Sequence, residues 1–375
     1  MPSICPAEHV TIYYDRGQFA AWPFNHGCWA FPGGEVLVGF SRGPCPYERP
    51  EQLRHREVDA AGGEYVTLRS ADGGRTWPLE SLRSWGSRQE IERRLLAADA
   101  PTAPAAPLDW ASPDFCLTAG LGIPPDSDSR VGYVQYSRDC GRTWEGPYRM
   151  PAFGFGWVQV KPDFLVRPDG VVLLFVTVRH NGRGAGSSAA PSTWPPTRFV
   201  ALYASPDRGL TWNYLSSIIA ATPDVGFVNR YYASPVQLPD GRILAALRCQ
   251  VDGRNAWPEV VESGDGGHTW RFLSRPADWG GPTHLSLLED GRLLAVYGRR
   301  TAPYGIRARV SEDEARSWGP EIVLREDGGS WDLGYPRAMR LGGGRVLVAY
   351  YFNRQDDPLQ CQGGVRHIVG TTFTP

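Results

Sequence analysis

Basic, phenolic and imidazole side chains recur in this chain at similar distances from a repeated glycine turn. They lie about nine residues before the turn glycine or about seven to nine residues after it. The earlier positions hold Asn25, His26, Lys161, Asp163, Tyr231, Tyr232, His284, Tyr335 and Arg337. The later positions hold Arg42, Arg179, His180, Arg248, Arg299 and Arg300. Side chains of these types can bind an anion and transfer protons, so one site could combine both kinds of chemistry.

The arginines and the lysine predict a negatively charged ligand. The whole chain is nearly neutral, with 39 Lys and Arg against 40 Asp and Glu, so a concentration of cations near one set of turns needs a reason. A guanidinium presents a planar fork that binds a carboxylate through two hydrogen bonds. We therefore expect an acidic sugar or another carboxylate, bound by Arg248, Arg299 and Arg307. The alternative is that some of these arginines only join neighbouring loops through ion pairs.

The elements that must position these residues carry a second repeat, Ser-x-Asp-x-Gly-x-Thr-Trp. Its four regular copies and one altered copy begin at Ser70, Ser137, Ser205, Ser263 and Ser311. In the last copy Ala315 replaces the glycine. The Asp can bond the backbone two residues on, the Gly can adopt positive φ, and the Trp offers an apolar plate for packing. A catalytic group is rarely needed five times, so we interpret the repeat as a structural turn.

The two repeats together define one unit of the fold. A unit contains a strand, an Asp-Gly turn, a strand, a variable loop, a strand, the octapeptide turn and a last strand, which is a four-stranded antiparallel blade. Six inner hairpins begin near Trp22, Pro113, Trp157, Asn229, Pro282 and Asp332. Radial repetition of this kind predicts an all-β fold, a six-bladed β-propeller. In each blade the start of the first strand, the end of the second and the start of the third share one face, where the polar positions should meet.

The repeats predict a single domain over residues 1–375. The sixth blade has no octapeptide, and its last strand is expected either from residues 365–373 or from residues 9–14. A helical and Pro-rich insertion is expected at about residues 85–110, because Ser87 with Glu90 three residues on is a helix cap followed by helix formers up to Ala98. The insertion is either a lid over the site or a surface excursion.

The octapeptide resembles the Asp box, or BNR repeat, of the sialidases (neuraminidases). The chain resembles the six-bladed propellers of that superfamily over nearly its whole length. The resemblance implies a Tyr nucleophile assisted by a Glu, an Asp acid/base and three arginines on the substrate carboxylate. Tyr335, in Gly-Tyr-Pro-Arg, resembles the segment that carries the nucleophile. Arg248 matches the second arginine, and Arg307 lies near the third.

Three departures from the family pattern affect the expected chemistry. Ala21-Trp22-Pro23 occupies the place of the first arginine, and Tyr232 occupies the place of the assisting Glu. The acid/base should lie in the loop before the first octapeptide, which holds the carboxylates Glu48, Glu51, Glu57 and Asp59. His26 and His284, at equivalent positions of two blades, add imidazoles that could transfer protons near neutral pH.

The residues leave three functions open. The first is a sialidase-like exo-glycosidase acting on an acidic sugar, with Tyr335 as nucleophile or stabiliser and Asp332 or Asp59 as its carboxylate partner. The second is a lyase that cleaves a uronate-containing glycan by β-elimination, with His26, His284 and Tyr335 as acid and base groups. The third is a sugar-binding propeller without catalysis. The expected substrate-binding residues are Arg248, Arg307, Arg299, Arg179, Lys161, Tyr232, Asn25 and Arg337.

The composition indicates which partners to expect. A balanced charge without a basic tract argues against nucleic acid and against a membrane surface, and no run of 18 apolar residues predicts a membrane span. Seven scattered cysteines without ligand spacing predict reduced thiols, with neither disulfides nor a zinc site. We expect no cofactor, and a cytoplasmic location unless a leader has been removed, because the first residues lack a signal peptide. The oligomeric state is left open.

Overall fold

The computed structural model describes residues 3–4, 6–49, 63–125, 129–180, 198–218, 228–251 and 255–375. In these ranges the chain is almost entirely β and forms six sheets, the blades of a six-bladed β-propeller. It divides into two compact units, a first unit of residues 1–90 and 279–375 and a second unit of residues 91–278. Glu51, Glu57 and Asp59 lie outside the described residues.

The first sheet has an interrupted inner strand. The strands before the boundary of the first unit are β1 (Ser3–Ile4), β2 (Ala7–Tyr13), β3 (Gln18–Ala21), β4 (Cys28–Ala30), β5 (Val36–Pro44), β6 (Glu64–Ser70) and β7 (Arg83–Ser87). Both β3 and β4 pair with β5, and the short helix α1 (Pro23–His26) separates them. Pro23 suits the first turn of a helix, where its missing N–H is not needed. The chain leaves α1 through Gly27 at φ +95°, where a Cβ would meet the Trp29 ring.

The second unit contains three sheets. Its strands are β8 (Cys116–Gly122), β9 (Val131–Ser137), β10 (Glu145–Arg149), β11 (Phe155–Val166), β12 (Val172–His180), β13 (Phe199–Ser205), β14 (Asn213–Ile218), β15 (Asn229–Gln237), β16 (Ile243–Gln250), β17 (Ala256–Ser263) and β18 (Arg271–Ser274). Two sheets have four antiparallel strands as expected, whereas the sheet of β8, β9 and β10 has three in the described ranges. Buried apolar residues of β11 to β13 and of β15 to β17 fill the space between neighbouring sheets.

The remaining strands complete the first unit. They are β19 (Thr283–Leu287), β20 (Leu293–Arg299), β21 (Gly305–Ser311), β22 (Ile322–Arg325), β23 (Gly334–Gly342), β24 (Arg345–Phe352) and β25 (His367–Phe373). The sheet β22-β21-β20-β19 gains β1 as a parallel edge strand. The last sheet has the order β2-β25-β24-β23, so both segments considered for the sixth blade take part, β25 as its third strand and β2 as its outermost one.

The octapeptide repeats are structural turns. In the first copy the Ser70 hydroxyl donates to Asp72 at 2.7 Å and accepts the Gly74 N–H at 2.9 Å. The other four copies repeat these two bonds, and in the altered copy the Ala315 N–H reaches Ser311 at 2.8 Å with φ +66°. Each Asp carboxylate therefore accepts hydrogen bonds within its own turn.

The helix expected in the insertion is α2 (Arg88–Leu95), three residues shorter than Ala98 would require. The Glu90 N–H donates to the Ser87 hydroxyl at 3.1 Å, which confirms the cap. Glu92 accepts the Ile123 N–H at 3.0 Å, and Leu95 packs where Gly122 ends β8. Because this end of β8 leads into its hairpin with β9, the contacts favour surface packing over a lid. No helix in the described ranges has the length and apolar character needed to cross a membrane.

Candidate functional site

Four cations contact three aromatic rings in the second unit. We call Trp157, Lys161, Arg179, Arg198, Tyr231, Tyr232 and Arg248 the cation–aromatic cluster. Arg198 Cζ lies 4.1 Å from the centroid of the Trp157 ring, and Arg179 Cζ lies 5.5 Å from it. Arg248 Cζ lies 5.2 Å from the Tyr231 ring, and Lys161 Nζ lies 4.6 Å from the Tyr232 ring. Arg198 Cζ also lies 5.9 Å from the Tyr231 ring, and the two tyrosine rings are 4.7 Å apart, so the contacts form one cluster.

Bulges in the inner strands aim some of these side chains. The pairing of β11 with β12 shifts between Val160 and Phe164, around Lys161. The pairing of β15 with β16 shifts between Tyr231 and Ser234, and Tyr232 there has φ +58°. In the first unit the pairing of β23 with β24 shifts at the same place, and Tyr335 has φ +50°. A bulge re-aims a side chain and is common next to active sites, and positive φ in a tyrosine is strained.

The cluster contains four of the expected substrate-binding residues, Lys161, Arg179, Tyr232 and Arg248. Lys161 has only 4% of its surface exposed, which is rare for a lysine and requires compensation such as its contact with Tyr232. Arg198 was missed, although the rule that third strands begin on the same face applies to it, because β13 begins directly after it. Proline in an inner strand indicates a bulge, and the sequence has one directly after Lys161 and one directly after Tyr335. The bulges were therefore predictable at these two places, but the spacing alone did not predict them.

In the first unit, Tyr335 lies among aromatic rings and one guanidinium. Its ring centroid is 6.3 Å from that of Phe24 and 5.9 Å from that of Tyr351. Arg300 Cζ lies 5.3 Å from the centroid of the Tyr335 ring. Arg300, which directly follows β20, is therefore the arginine next to the candidate nucleophile, rather than its predicted neighbour Arg299.

Arg337 and His284 lie beside Phe24. Arg337 donates to the Phe24 carbonyl through Nε and Nη2, both at 3.2 Å, and so holds α1 against β23. His284 Nδ1 accepts the Ala338 N–H at 3.3 Å. Burial, followed by the charge of Arg337, lowers the pKa of His284 well below its usual value. The ring is therefore neutral near pH 7 and carries its proton on Nε2, so it can donate a hydrogen bond but cannot act as a base.

His26 and Asn25 lie on α1. His26 Nε2 is 2.6 Å from the Ser41 hydroxyl, and its ring is 4.9 Å from the Tyr65 ring and 5.7 Å from the Trp85 ring. This environment suits a packed imidazole. The Oδ1 atom of Asn25 is buried and has no hydrogen-bond partner in the part of the chain that the structure describes, so it remains a candidate ligand contact.

Asp332 belongs to a buried network. Its Oδ1 accepts the Tyr351 hydroxyl at 2.7 Å, and its Oδ2 accepts Arg366 Nε at 3.1 Å. Asp332 is 3% exposed and Arg366 is 1% exposed, so removing either charge would leave the other buried. The role of Asp332 as the carboxylate partner of Tyr335 stays a prediction.

Arg307 and Arg299 contact carboxylates beside the outer strand β22. Arg307 is 1% exposed, and its Nε donates to Glu321 at 3.2 Å while Nη2 reaches Glu326 at 3.5 Å. Arg299 Nη1 lies 3.6 Å from Glu321. Burial lowers the pKa of Arg307, but its two acidic neighbours oppose that effect. The contacts support the structural alternative for both arginines and remove Arg307 from the expected clamp, because its donors are already used.

The structure contains no group that could form a metal centre among its described residues, when three or more His, Cys, Asp or Glu side chains are required. Asp59, the fifth candidate catalytic residue, lies outside the described ranges.

The blades and the five Asp boxes identify a sialidase-superfamily propeller built from BNR repeats. The family model described as BNR repeat-like domain matches residues 80–348, and the chain belongs to this family. A sialidase of Micromonospora viridifaciens is 30% identical in an alignment of 313 residues that covers 72% of this chain and 48% of that protein. The chain thus spans about half the length of this curated relative.

Solved structures share the fold. A protein of unknown function from Dyadobacter fermentans is 27% identical, with a TM-score of 0.71 and 98% of both chains covered. The Penicillium chrysogenum alpha-L-arabinanase, solved with arabinobiose, is 14% identical, with a TM-score of 0.58, 98% of this chain covered and 97% of the other. The Hadza microbial sialidase Hz136 is 16% identical, with a TM-score of 0.57, 94% of this chain covered and 66% of the other. The last two similarities describe the fold alone.

Proposed function

We propose that this protein is a carbohydrate-active enzyme that hydrolyses a glycosidic bond of a sugar bearing a carboxylate. The cation–aromatic cluster is the observation that carries the proposal. Guanidinium groups recognise carboxylates through paired hydrogen bonds, and aromatic rings offer flat apolar surfaces for packing. A protein with one net negative charge that gathers four cations around three aromatic rings has a site suited to an anion.

The proposal assigns a recognition role and a catalytic role. Arg248 and Lys161 recognise the acidic sugar, with Arg179, Arg198 and Tyr232 beside them. Tyr335 is the nucleophile, the role that the resemblance to the sialidase-type exceptions among glycosidases assigns to it. Asp59, which precedes the first octapeptide in the sequence, is proposed as the acid/base carboxylate. Membership of the BNR repeat-like family and the related sialidase support hydrolysis, while the identity of the sugar is left to experiment.

Hydrolysis fits the geometry better than β-elimination does. Elimination requires a base that removes the proton next to the carboxylate. His284 cannot accept that proton, because Nδ1 is bonded to the Ala338 N–H and Nε2 carries the ring proton. His26 lies against the Ser41 hydroxyl and two aromatic rings. The lyase hypothesis thus loses one of its two imidazole bases, whereas hydrolysis needs neither.

The proposal can be tested with a panel of fluorogenic glycosides and polymers. The panel contains 4-methylumbelliferyl N-acetylneuraminide, the corresponding glucuronide, the neutral arabinofuranoside, and polygalacturonate. We expect turnover of an acidic glycoside without the ultraviolet absorbance of an unsaturated uronate. Turnover of the arabinofuranoside alone would contradict the acidic substrate, and unsaturated product would identify a lyase. Measurable binding without turnover of any compound would identify a sugar-binding module.

Two substitutions locate the roles. Arg248→Gln should lower kcat/KM on the acidic glycoside by about a hundredfold, because it removes a charged partner of the substrate. The matched control is Arg271→Gln on the outer strand β18, where the arginine is 74% exposed and pairs with Glu262.

Tyr335→Phe should lower kcat at least about a hundredfold, as expected for loss of a nucleophile. An unchanged Tyr335→Phe enzyme would refute the assignment of the nucleophile.

A further inference from the structure

We infer that Tyr351 is a positioning residue that fixes Arg300 against Tyr335. Tyr351 lies on β24 and is fully buried. Its hydroxyl donates to Asp332 Oδ1 at 2.7 Å and accepts Arg300 Nη2 at 3.1 Å. The phenol thus connects the buried carboxylate to the guanidinium beside the candidate nucleophile. The inference rests on the proposed function, because the reaction at Tyr335 is what gives the position of Arg300 its importance.

The carboxylate end of this connection is rigid. Asp332 Oδ2 accepts Arg366 Nε at 3.1 Å, and the Asp332 carbonyl accepts Asn353 Nδ2 at 2.6 Å. Arg366 in turn donates to the backbone carbonyls of Gly364 at 2.7 Å and Gln362 at 2.9 Å. Because Asp332 pairs with Arg366 and is anchored in this way, the single proton of the Tyr351 hydroxyl is donated to it, and the oxygen lone pairs remain for Arg300.

The guanidinium end is held by the same phenol and one carbonyl. Arg300 Nε and Nη2 donate to the Leu333 carbonyl at 3.0 and 2.9 Å, and Nη2 also reaches Tyr351. An arginine side chain has several rotatable bonds, so a bond to a backbone carbonyl alone leaves part of its freedom. The second acceptor fixes the orientation in which Cζ lies 5.3 Å from the Tyr335 ring and 5.7 Å from the Trp331 ring.

The position of Arg300 matters because a cation that is already fixed in place stabilises negative charge without having to reorient. Charge develops at the phenol oxygen when the glycosyl–tyrosine bond breaks. A guanidinium held beside Tyr335 favours this charge, provided that it does not have to reorient during the reaction. Tyr351 does not touch the reacting atoms in this account. It acts through Arg300, so its removal should lower kcat more than it raises KM.

The test compares two buried phenols. Tyr351→Phe removes the acceptor of Arg300, and we expect kcat on the acidic glycoside to fall about tenfold, as for one hydrogen bond to a charged group. Tyr47→Phe is the matched control. The Tyr47 hydroxyl donates to the Gln18 carbonyl at 3.1 Å and accepts the Arg366 N–H at 2.9 Å. It therefore contacts the same anchor, and its loss should leave kcat within about twofold.

A double-mutant cycle separates positioning from general damage. If Tyr351 acts through Arg300, Tyr351→Phe should lower kcat no further in an Arg300→Gln background. If the losses in kcat of the two single variants multiply in the double variant, the inference is overturned. A loss of kcat in Tyr47→Phe equal to that in Tyr351→Phe would overturn it as well. Crystal structures provide the readout that does not depend on turnover. Arg300 should leave the Tyr335 ring in Tyr351→Phe and stay there in Tyr47→Phe.

The failures of the two proposals can be told apart. A wild-type protein that hydrolyses no acidic glycoside would refute the proposed function, whatever the position of Arg300. Arg300 unmoved in the Tyr351→Phe crystal structure would refute the positioning role, whatever the activity.

Discussion

The imidazole of His284 accepts the Ala338 N–H at 3.3 Å, and burial keeps its pKa well below the usual value with help from the charge of Arg337. In the unfolded chain a histidine has a pKa of about 6.5. Below that pH the unfolded chain binds more protons at this position than the folded chain does. The contribution of His284 to stability is therefore present above about pH 6.5 and is lost as the pH falls below it.

His284→Gln should flatten the pH dependence of stability. We expect the melting temperature of the wild type to fall between about pH 7 and pH 5 more steeply than that of the variant. His268→Gln is the control, because His268 is exposed in the fourth Asp box and the same substitution should leave the slope unchanged. Thermal melts at matched ionic strength measure both slopes. Equal slopes in the wild type and His284→Gln would contradict the assignment of a neutral imidazole.

The distance of a residue from the glycine turn predicted the place of some site residues correctly and of others wrongly. The structure brings Lys161 to Tyr232 and Arg248 to the same cluster, as their distances from the turns suggested. Arg299 is the last residue of β20, and Arg300 follows it. Spacing did not separate them, because neighbouring residues of an extended chain point to opposite sides and an error of one residue changes the partner. Arg307 was misplaced for a related reason: its distance from the box matched, but its side chain points toward Glu321 beside β22.

The Asp-box turns and the Asp-Gly turns both contain glycines at positive φ, but the box glycines Gly74, Gly209 and Gly267 are packed more tightly than the Asp-Gly glycines Gly170, Gly241 and Gly291. Gly170, in the turn before β12, has φ +83° and open space around its missing Cβ. Gly267, in the fourth box, has φ +98°, and a Cβ there would lie 2.8 Å from Leu202 Cδ2. The two positions therefore separate backbone strain from steric overlap.

Alanine substitutions should resolve these two effects. Gly170→Ala should lower the free energy of unfolding by about 1–2 kcal/mol, the cost of the left-handed backbone in a residue with a Cβ. Gly267→Ala should cost about 1–3 kcal/mol more, because the methyl group overpacks Leu202. Denaturant titration of both variants gives the difference. A Gly267→Ala variant no less stable than Gly170→Ala would show that the box tolerates a side chain, as the Ala315 copy does.

Elements were more predictable than their irregularities. The turn signals and apolar runs predicted six sheets, and the Ser87 cap predicted α2, because local chemistry decides such features. The three-stranded sheet of β8 to β10 and the bulges in β11, β15 and β23 were not predicted. A bulge depends on where the partner strand's hydrogen bonds fall, and a single strand's sequence carries only an indirect trace of this, such as the prolines beside Lys161 and Tyr335.

At the scale of the whole molecule, the sheet of β23, β24 and β25 depends on a strand from the other end of the chain. β2 pairs with β25 from Ala7 opposite Phe373 to Tyr13 opposite Ile368. It buries Ile12 and Tyr13 and covers the hydrogen-bonding edge of β25. An uncovered edge exposes unpaired N–H and C=O groups to other chains.

Removing β2 should therefore destabilise the protein and promote aggregation. Deletion of residues 1–13 should lower the melting temperature by about 10 °C or more, from the lost burial of two large side chains and the lost strand pairing. Deletion of residues 1–5 is the control, because it removes only β1 and its two residue pairs with β22. Calorimetry and soluble yield measure both effects. A longer deletion that melts like the shorter one would show that β25 is stable as an edge.

The repeated bulge has a consequence for how specificity can change. β15 and β23 present Tyr232 and Tyr335 from the same backbone irregularity, one extra residue with a tyrosine at positive φ, and β11 presents Lys161 from a longer irregularity, so each strand displays one side chain from a bulge. The hydrogen bonds between the backbones of the surrounding strands do not depend on which side chain the bulge displays. Relatives of this propeller could thus acquire new ligands by exchanging one displayed residue at a time, and a designer could do the same without rebuilding the scaffold.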